Sequence, residues 1–257
     1  MNEWPFDVSV YAGLIALFLG HAWLAGRVSD ARRKHLLYFG LGLVTLWFAL
    51  ETPLDTISDH YLDSVHMVQH VLLGFVAPPL MLLGLSSRMV GQIMRVPGVR
   101  ALTEPVPAQV IAGVVMIAWH LPPLYDATLA SEPLHILEHV TFIGAGVAMY
   151  WPMLEATSAH AYWQMSPGAK LLYMLLATLP QDGVALALIF SRVPFYDYYV
   201  HAPRLIPSLT PLIDQTVAGA VLMTFGKATI VVAAIAVFYR WFASDHRADQ
   251  AHAIARP

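Results

Sequence analysis

The sequence predicts an all-α fold: a polytopic membrane bundle of about seven transmembrane helices, with the N-terminus outside and the C-terminus cytoplasmic. Three observations carry this. Of 257 residues, 58% are hydrophobic and only 12% are charged, with a mean hydropathy of +0.59; a soluble domain has about 25% charged residues. Apolar runs near the ~20 residues needed to cross a bilayer recur at 8–26, 36–53, 67–85, 106–121, 134–154, 169–190 and 213–240. Basic residues, finally, are segregated among the connecting loops.

The first span follows "MNEWPFDV", which lacks the positive region of a signal peptide, so the span is expected to be retained. The fourth opens on Pro105 and Pro107, which a first helical turn tolerates. In the sixth, Pro180 and Gly183 flank Gln181 and Asp182, which predicts a kink that frees backbone carbonyls. Loop one holds Arg27, Arg32, Arg33 and Lys34, loop three holds Arg88, Arg95 and Arg100, and the tail holds Arg240, Arg247 and Arg256. By the positive-inside rule these three are cytoplasmic. The loops "LDTISDHYLDSV" and "LPPLYDATLASEP" carry no Lys or Arg and are placed outside. Loop five holds Glu155 and His160; loop six carries Arg192 and Arg204 on the outer side, a mild violation. Residues 1–241 form one transmembrane domain, and 242–257 read as a disordered cytoplasmic tail.

Composition also excludes functions. A net charge of −3 gives no global basic field, so nucleic acid is not an expected partner. No cysteine is present, which removes disulfides, thiol catalysis and CxxC metal motifs. A metal would have to be held by His, Met, Asp or Glu, and the chain has 12 His and 11 Met.

The histidines are distributed unevenly. His66 and His70 lie at the outer end of span three, His120 at that of span four, and His135 and His139 at that of span five. A spacing of four residues puts each pair on one helix face, the arrangement by which helical motifs chelate one ion. One such pair alone is better read as interfacial histidine; two pairs and a fifth His at one depth favour metal binding. His21, His35, His160, His246 and His252 fall toward the inner side and read as structural or solvated, while His60 and His201 lie in outer loops.

Other polar groups are candidates of second rank. Asp182 is an intramembrane carboxylate, which marks either function or helix packing. Asp214 and Gln215 open span seven, with Gln215 and Met223 on one face; Asp214 also suits an N-terminal helix cap. Met116 sits one turn before His120, where a thioether would suit Cu(I), although core packing is the simpler reading. Asp63 and Asp126 could orient imidazoles as acceptors. Glu138 lies inside "HILEH", which also fits the HxxEH zinc-protease pattern with Glu as general base.

The stretches "HMVQHVLLGFVAPPLMLLG", "AWHLPPLYDATLASEPLHILEHVTFIGAGVAMYWPML" and "LTPLIDQTVAGAVLMTF" resemble the CtaG-type cytochrome c oxidase assembly factors, multi-pass bacterial proteins associated with caa-type oxidases. The resemblance runs from span two to span seven. It implies a seven-helix plasma (inner) membrane protein that matures the oxidase by handling copper. The matching histidines are His66, His70, His120, His135 and His139, and Asp214 and Gln215 match the family's "DQ" element.

The expected function is therefore non-enzymatic: copper binding by the extracytoplasmic histidines, with delivery to oxidase subunits or a copper chaperone as partners and lipid as the surroundings. Two alternatives remain. One is a His/Glu metalloenzyme of the zinc or di-iron type. The other is a haem-binding membrane protein, in which His70 and His139 from different helices could ligate the iron.

Overall fold

A computed structural model describes residues 6–28, 32–158 and 164–254. Every described element is helical. Each of the seven apolar segments lies on a helix: α1 (Val8–Val28), α2 (Arg32–Leu50), the composite span Asp63–Leu83, α8 (Pro105–Trp119), α10 (Glu132–Tyr150), α12 (Pro167–Phe190) and α14 (Pro211–Ile254). Between them lie short helices: α3 (Pro53–His60), α6 (Ser87–Ile93), α7 (Val99–Leu102), α9 (Pro122–Leu129), α11 (Glu155–Ser158) and α13 (Asp197–His201).

Among the described residues, four helices are long and apolar enough to cross a membrane: α1, the composite span, α12 and α14. The number rises to six if α2 with α3, bent by 47°, and α8 with α9, bent by 74°, each count as one span. The expected seventh, α10, has 19 residues but is not among these; its first turns hold Glu132, His135, Glu138 and His139.

Several local expectations change. The two outer loops without basic residues are largely helical, as α3 and α9. Both begin with proline, whose fixed φ suits the first turn, and Thr52 caps α3 by accepting from the Leu54 amide at 3.3 Å. Helix α12 is one continuous helix with Pro180 inside it. Helix α14 is described as far as Ile254.

The composite span positions the site. It consists of α4 (Asp63–Val71), a π-turn (Leu72–Val76) and α5 (Ala77–Leu83). Pro78 and Pro79 explain the interruption. A proline ring clashes with the carbonyl four residues earlier, here those of Gly74 and Phe75, and the wider π-turn spans both residues.

This span is fixed on three sides. Gln69, fully buried, donates to the Ala49 carbonyl (2.9 Å) and to Asp55 Oδ1 (2.7 Å) and accepts from Ser58 Oγ (3.0 Å). It thereby ties α4 to the end of α2 and to α3. The N-terminus of α4 has no cap of its own, because Leu62 precedes it. Asp214 of α14 supplies one, accepting from the Asp63 amide (2.8 Å) and the Ser64 amide (3.3 Å). Asp214 therefore caps α4 rather than its own helix, where Thr210 Oγ1 accepts from the Ile213 amide. On the third side, Gly146 of α10 meets the span so closely that a Cβ there would collide with the Gly74 carbonyl and lie 2.7 Å from Pro78 Cγ.

Two substitutions test this frame. Asp214→Ala strands two buried amides and is expected to cost about 1–2 kcal/mol, read as a lower unfolding midpoint in detergent. Gly146→Val overpacks the contact between α10 and the composite span at about 1–3 kcal/mol. Gly144→Val, where nothing lies within 4 Å, should leave the midpoint in place.

Candidate metal centre

The five candidate histidines converge. His66 and His70 stand on one face of α4, with ring centroids 4.2 Å apart. His135 and His139 do the same on α10, at 4.1 Å. The two pairs face each other: His66 lies 5.6 Å from His135 and 6.4 Å from His139, and His70 lies 6.2 Å from His139. His120, at the end of α8, is 5.5 Å from His70. Trp119 holds that end in place by donating its indole N–H to Thr141 Oγ1 of α10 at 2.8 Å.

Glu138 enters the middle of the group. Three residues after His135, it shares that residue's face, and its carboxylate also comes within ligand reach of His139. Its carboxylate is fully buried, with Oε1 3.5 Å from His70 Nε2 and Oε2 3.9 Å from His66 Nε2. Three overlapping sets each bring their ligand atoms within 4.8 Å of one another: Asp59–His66–His135, His66–His70–Glu138 and His135–Glu138–His139.

The donor chemistry fits a metal ion. Both nitrogens of His66 and of His70, and Nε2 of His135 and His139, are buried with no hydrogen-bond partner, as are both Glu138 oxygens. Each such group costs roughly 1–3 kcal/mol when left unsatisfied. Neutral imidazole and carboxylate are donors for zinc, copper and iron alike. His120 is oriented by its Nδ1–H, which donates to the Met116 carbonyl at 2.7 Å. Its Nε2 is thereby left with the lone pair, 3.4 Å from Met67 Sδ.

The remaining candidates lie elsewhere. Met116 offers His120 its backbone carbonyl, not its thioether; the sulfur beside His120 belongs to Met67. Asp63 does not orient His66 but accepts from the Tyr125 hydroxyl at 2.7 Å, and the Tyr125 ring lies 5.1 Å from His66. Asp126 does not orient His120; it accepts from the amides of Asp197 and Tyr198, at the start of α13. Asp182 pairs with Lys227 at 2.7 Å, joining α12 to α14. Gln215 accepts from the Phe195 amide (2.6 Å) and donates to the Leu188 carbonyl (3.2 Å). Met223 packs against the main hydrophobic core. His21 lies away from the cluster: its Nε2–H donates to the Gly84 carbonyl at 2.9 Å and its ring stacks on Phe39 at 4.0 Å. His160 lies outside the described residues.

Sequence reasoning missed Asp59 and Met67. Asp59 Oδ2 lies 3.5 Å from His135 Nδ1. It sits on a separate short helix, so its distance in sequence from His66 carries no facial information. Met67 is adjacent to His66, and its orientation toward His120 depends on how α4 packs against α8.

Relatives are found among uncharacterised mycobacterial proteins. One from Mycobacterium leprae is 23% identical over 270 residues, covering 95% of this chain and 40% of that protein. Those from Mycobacterium bovis and Mycobacterium tuberculosis are each 22% identical over 287 residues, covering 96% of this chain and 40% of each protein. The chain thus spans about 40% of the length of these curated relatives. No solved structure matches it. The cytochrome c oxidase caa3 assembly factor family (Caa3_CtaG) matches residues 16–244, nearly the whole chain including every residue of the histidine cluster, and the chain belongs to that family.

Proposed function

We propose that this protein assists assembly of a cytochrome c oxidase in the bacterial plasma membrane by binding copper in the histidine cluster and passing it to an oxidase subunit or a copper chaperone. One observation carries the reading: five imidazoles and a carboxylate from three helices meet, and among them both nitrogens of His66 and His70, Nε2 of His135 and His139 and both Glu138 oxygens are buried without a hydrogen-bond partner. Packing alone gives no reason for that expense. Copper is the cargo, held by His66, His70, His135 and His139 with Glu138. His120 and Met67 offer an N,S pair beside them, suited to the softer Cu(I). The Arg content of loops one and three supports an extracytoplasmic position for the cluster.

The zinc-enzyme alternative has one feature in its favour, the proximity of Glu138 to His135 and His139. However, Glu138 faces His66 and His70 at 3.9 and 3.5 Å, the place of a ligand more than of a base reserved for water. Haem ligation by His70 and His139 is less favoured, because Phe142 stacks on the His70 ring at 4.3 Å where a macrocycle would lie.

The purified chain is expected to bind Cu(I) and Cu(II), and the combined His66→Ala and His139→Ala changes to abolish the bound metal and lower oxidase activity in cell membranes. Retention of full oxidase activity and an unchanged copper content would end the proposal. Zinc in place of copper, with Glu138-dependent hydrolysis, would favour the enzyme.

Within the cluster, Met67→Leu preserves volume and should cost little stability. It is expected to weaken Cu(I) at least tenfold relative to Cu(II), whereas Met116→Leu leaves both unchanged. Competition with chelators of known affinity provides the measurement.

A further inference from the structure

A cavity of about 690 Å³ opens beside α10. Its walls carry the carboxylates of Asp7, Glu51, Asp55, Asp59 and Glu132, and none of its described lining residues is Lys or Arg. At the mouth the Ser9 amide donates to Asp7 Oδ1 at 2.7 Å. Carboxylates of one sign around a concave, low-dielectric wall concentrate cations.

The cavity does not end on these acids. His135 and His139 also line it. His139 is only 7% exposed, and its Nε2 has no partner. Asp59 and His135 lie on the wall and His66 lies behind them, within the same ligand group. The volume would hold about 20 waters at roughly 30 Å³ each. That is enough for a hydrated ion and too little for a folded carrier domain.

We propose that this acid-walled cavity is the passage by which a hydrated divalent cation reaches the histidine cluster, with Asp59 and His135 as its first ligands. The proposal rests on the metal-binding reading of the cluster. Local roles do not account for the arrangement. Glu51 accepts from the Asp7 amide, Asp55 accepts from Gln69, and Glu132 sits in the first turn of α10. Those bonds explain individual carboxylates but not why five of them surround a floor of unpaired imidazole.

The absence of cysteine permits a direct test. Ile136→Cys places a single thiol on the rim, at a residue 53% exposed, and Val96→Cys, 52% exposed, serves as a control between α6 and α7. Each full-length variant is reacted with a bulky maleimide in detergent and mixed with Cu(II). Labelled Ile136→Cys should fill at least tenfold more slowly than its unlabelled form, and protein loaded before labelling should retain its metal against a chelator. Labelled Val96→Cys should fill like the parent. In parallel, Glu51→Gln with Glu132→Gln should slow uptake about tenfold at low ionic strength and flatten its salt dependence, with the final stoichiometry unchanged. If labelled Ile136→Cys fills as fast as the unlabelled protein while the cluster still binds copper, the passage is overturned and the metal site stands. If the unlabelled parent binds no copper, the reading of the cluster fails and the passage with it.

Discussion

Five imidazoles and one carboxylate are packed into the interior of a helical bundle with most of their polar atoms facing only one another. In such surroundings an unpaired donor or acceptor loses water and regains nothing. A stable sequence tolerates this at an isolated position by pointing the side chain at a backbone carbonyl, as His120 does with Met116. His66 and His70 have no such outlet, because they are fully buried and face the Glu138 carboxylate and each other's rings. A positive ion shared among the nitrogens and Glu138 offsets the desolvation of all of them at once. That is the physical argument behind the proposal that the cluster binds a metal.

The groups that hold the cluster together do not touch the imidazole nitrogens. Gln69 fixes one face of α4 against α2 and α3, and Asp214 closes its N-terminus from a helix about 150 residues away in sequence. Gly146 lets α10 approach the π-turn until a Cβ at that position would collide with the Gly74 backbone. Trp119 and Thr141 tie the end of α8 to α10. Each contact removes one freedom of α4, α8 or α10. A bundle lacking any one of them would still bury its apolar faces, but the two histidine pairs would no longer stand opposite each other.

Much of this was legible in the sequence, and the rest was not for identifiable reasons. Apolar runs and loop charge located the helices, because hydropathy over ~20 residues is a strong signal. The spacing of four put His66 with His70 and His135 with His139 on common faces, since that inference needs only helical geometry. The partners of the carboxylates could not be read in this way. Asp63, Asp126 and Asp214 look alike in a sequence, yet one serves a tyrosine hydroxyl and the other two cap helices to which they do not belong. Met67 and Met116 are equally plausible on spacing, and only the packing of α4 against α8 selects Met67. The short helices α3 and α9 were hidden because their polar residues resemble loops, while their proline starts and the Thr52 cap carried the opposing signal.

The donor atoms also change in order across the site. Carboxylates line the cavity, imidazoles occupy the middle, and the Met67 thioether lies at the far end beside His120. Oxygen donors favour harder ions and sulfur favours softer ones, with imidazole between. For copper under the proposed reading, the carboxylate end would suit Cu(II) and the thioether end Cu(I), as separate preferences of the two ends and not as a change of oxidation state. The overlapping ligand sets share His66, His135 and Glu138, so an ion can exchange one donor at a time without ever being stripped of all of them. A single closed tetrahedral site would bind more tightly and release more slowly. Under the proposed reading, a run of incomplete, overlapping sites would suit a metal that is to be passed on.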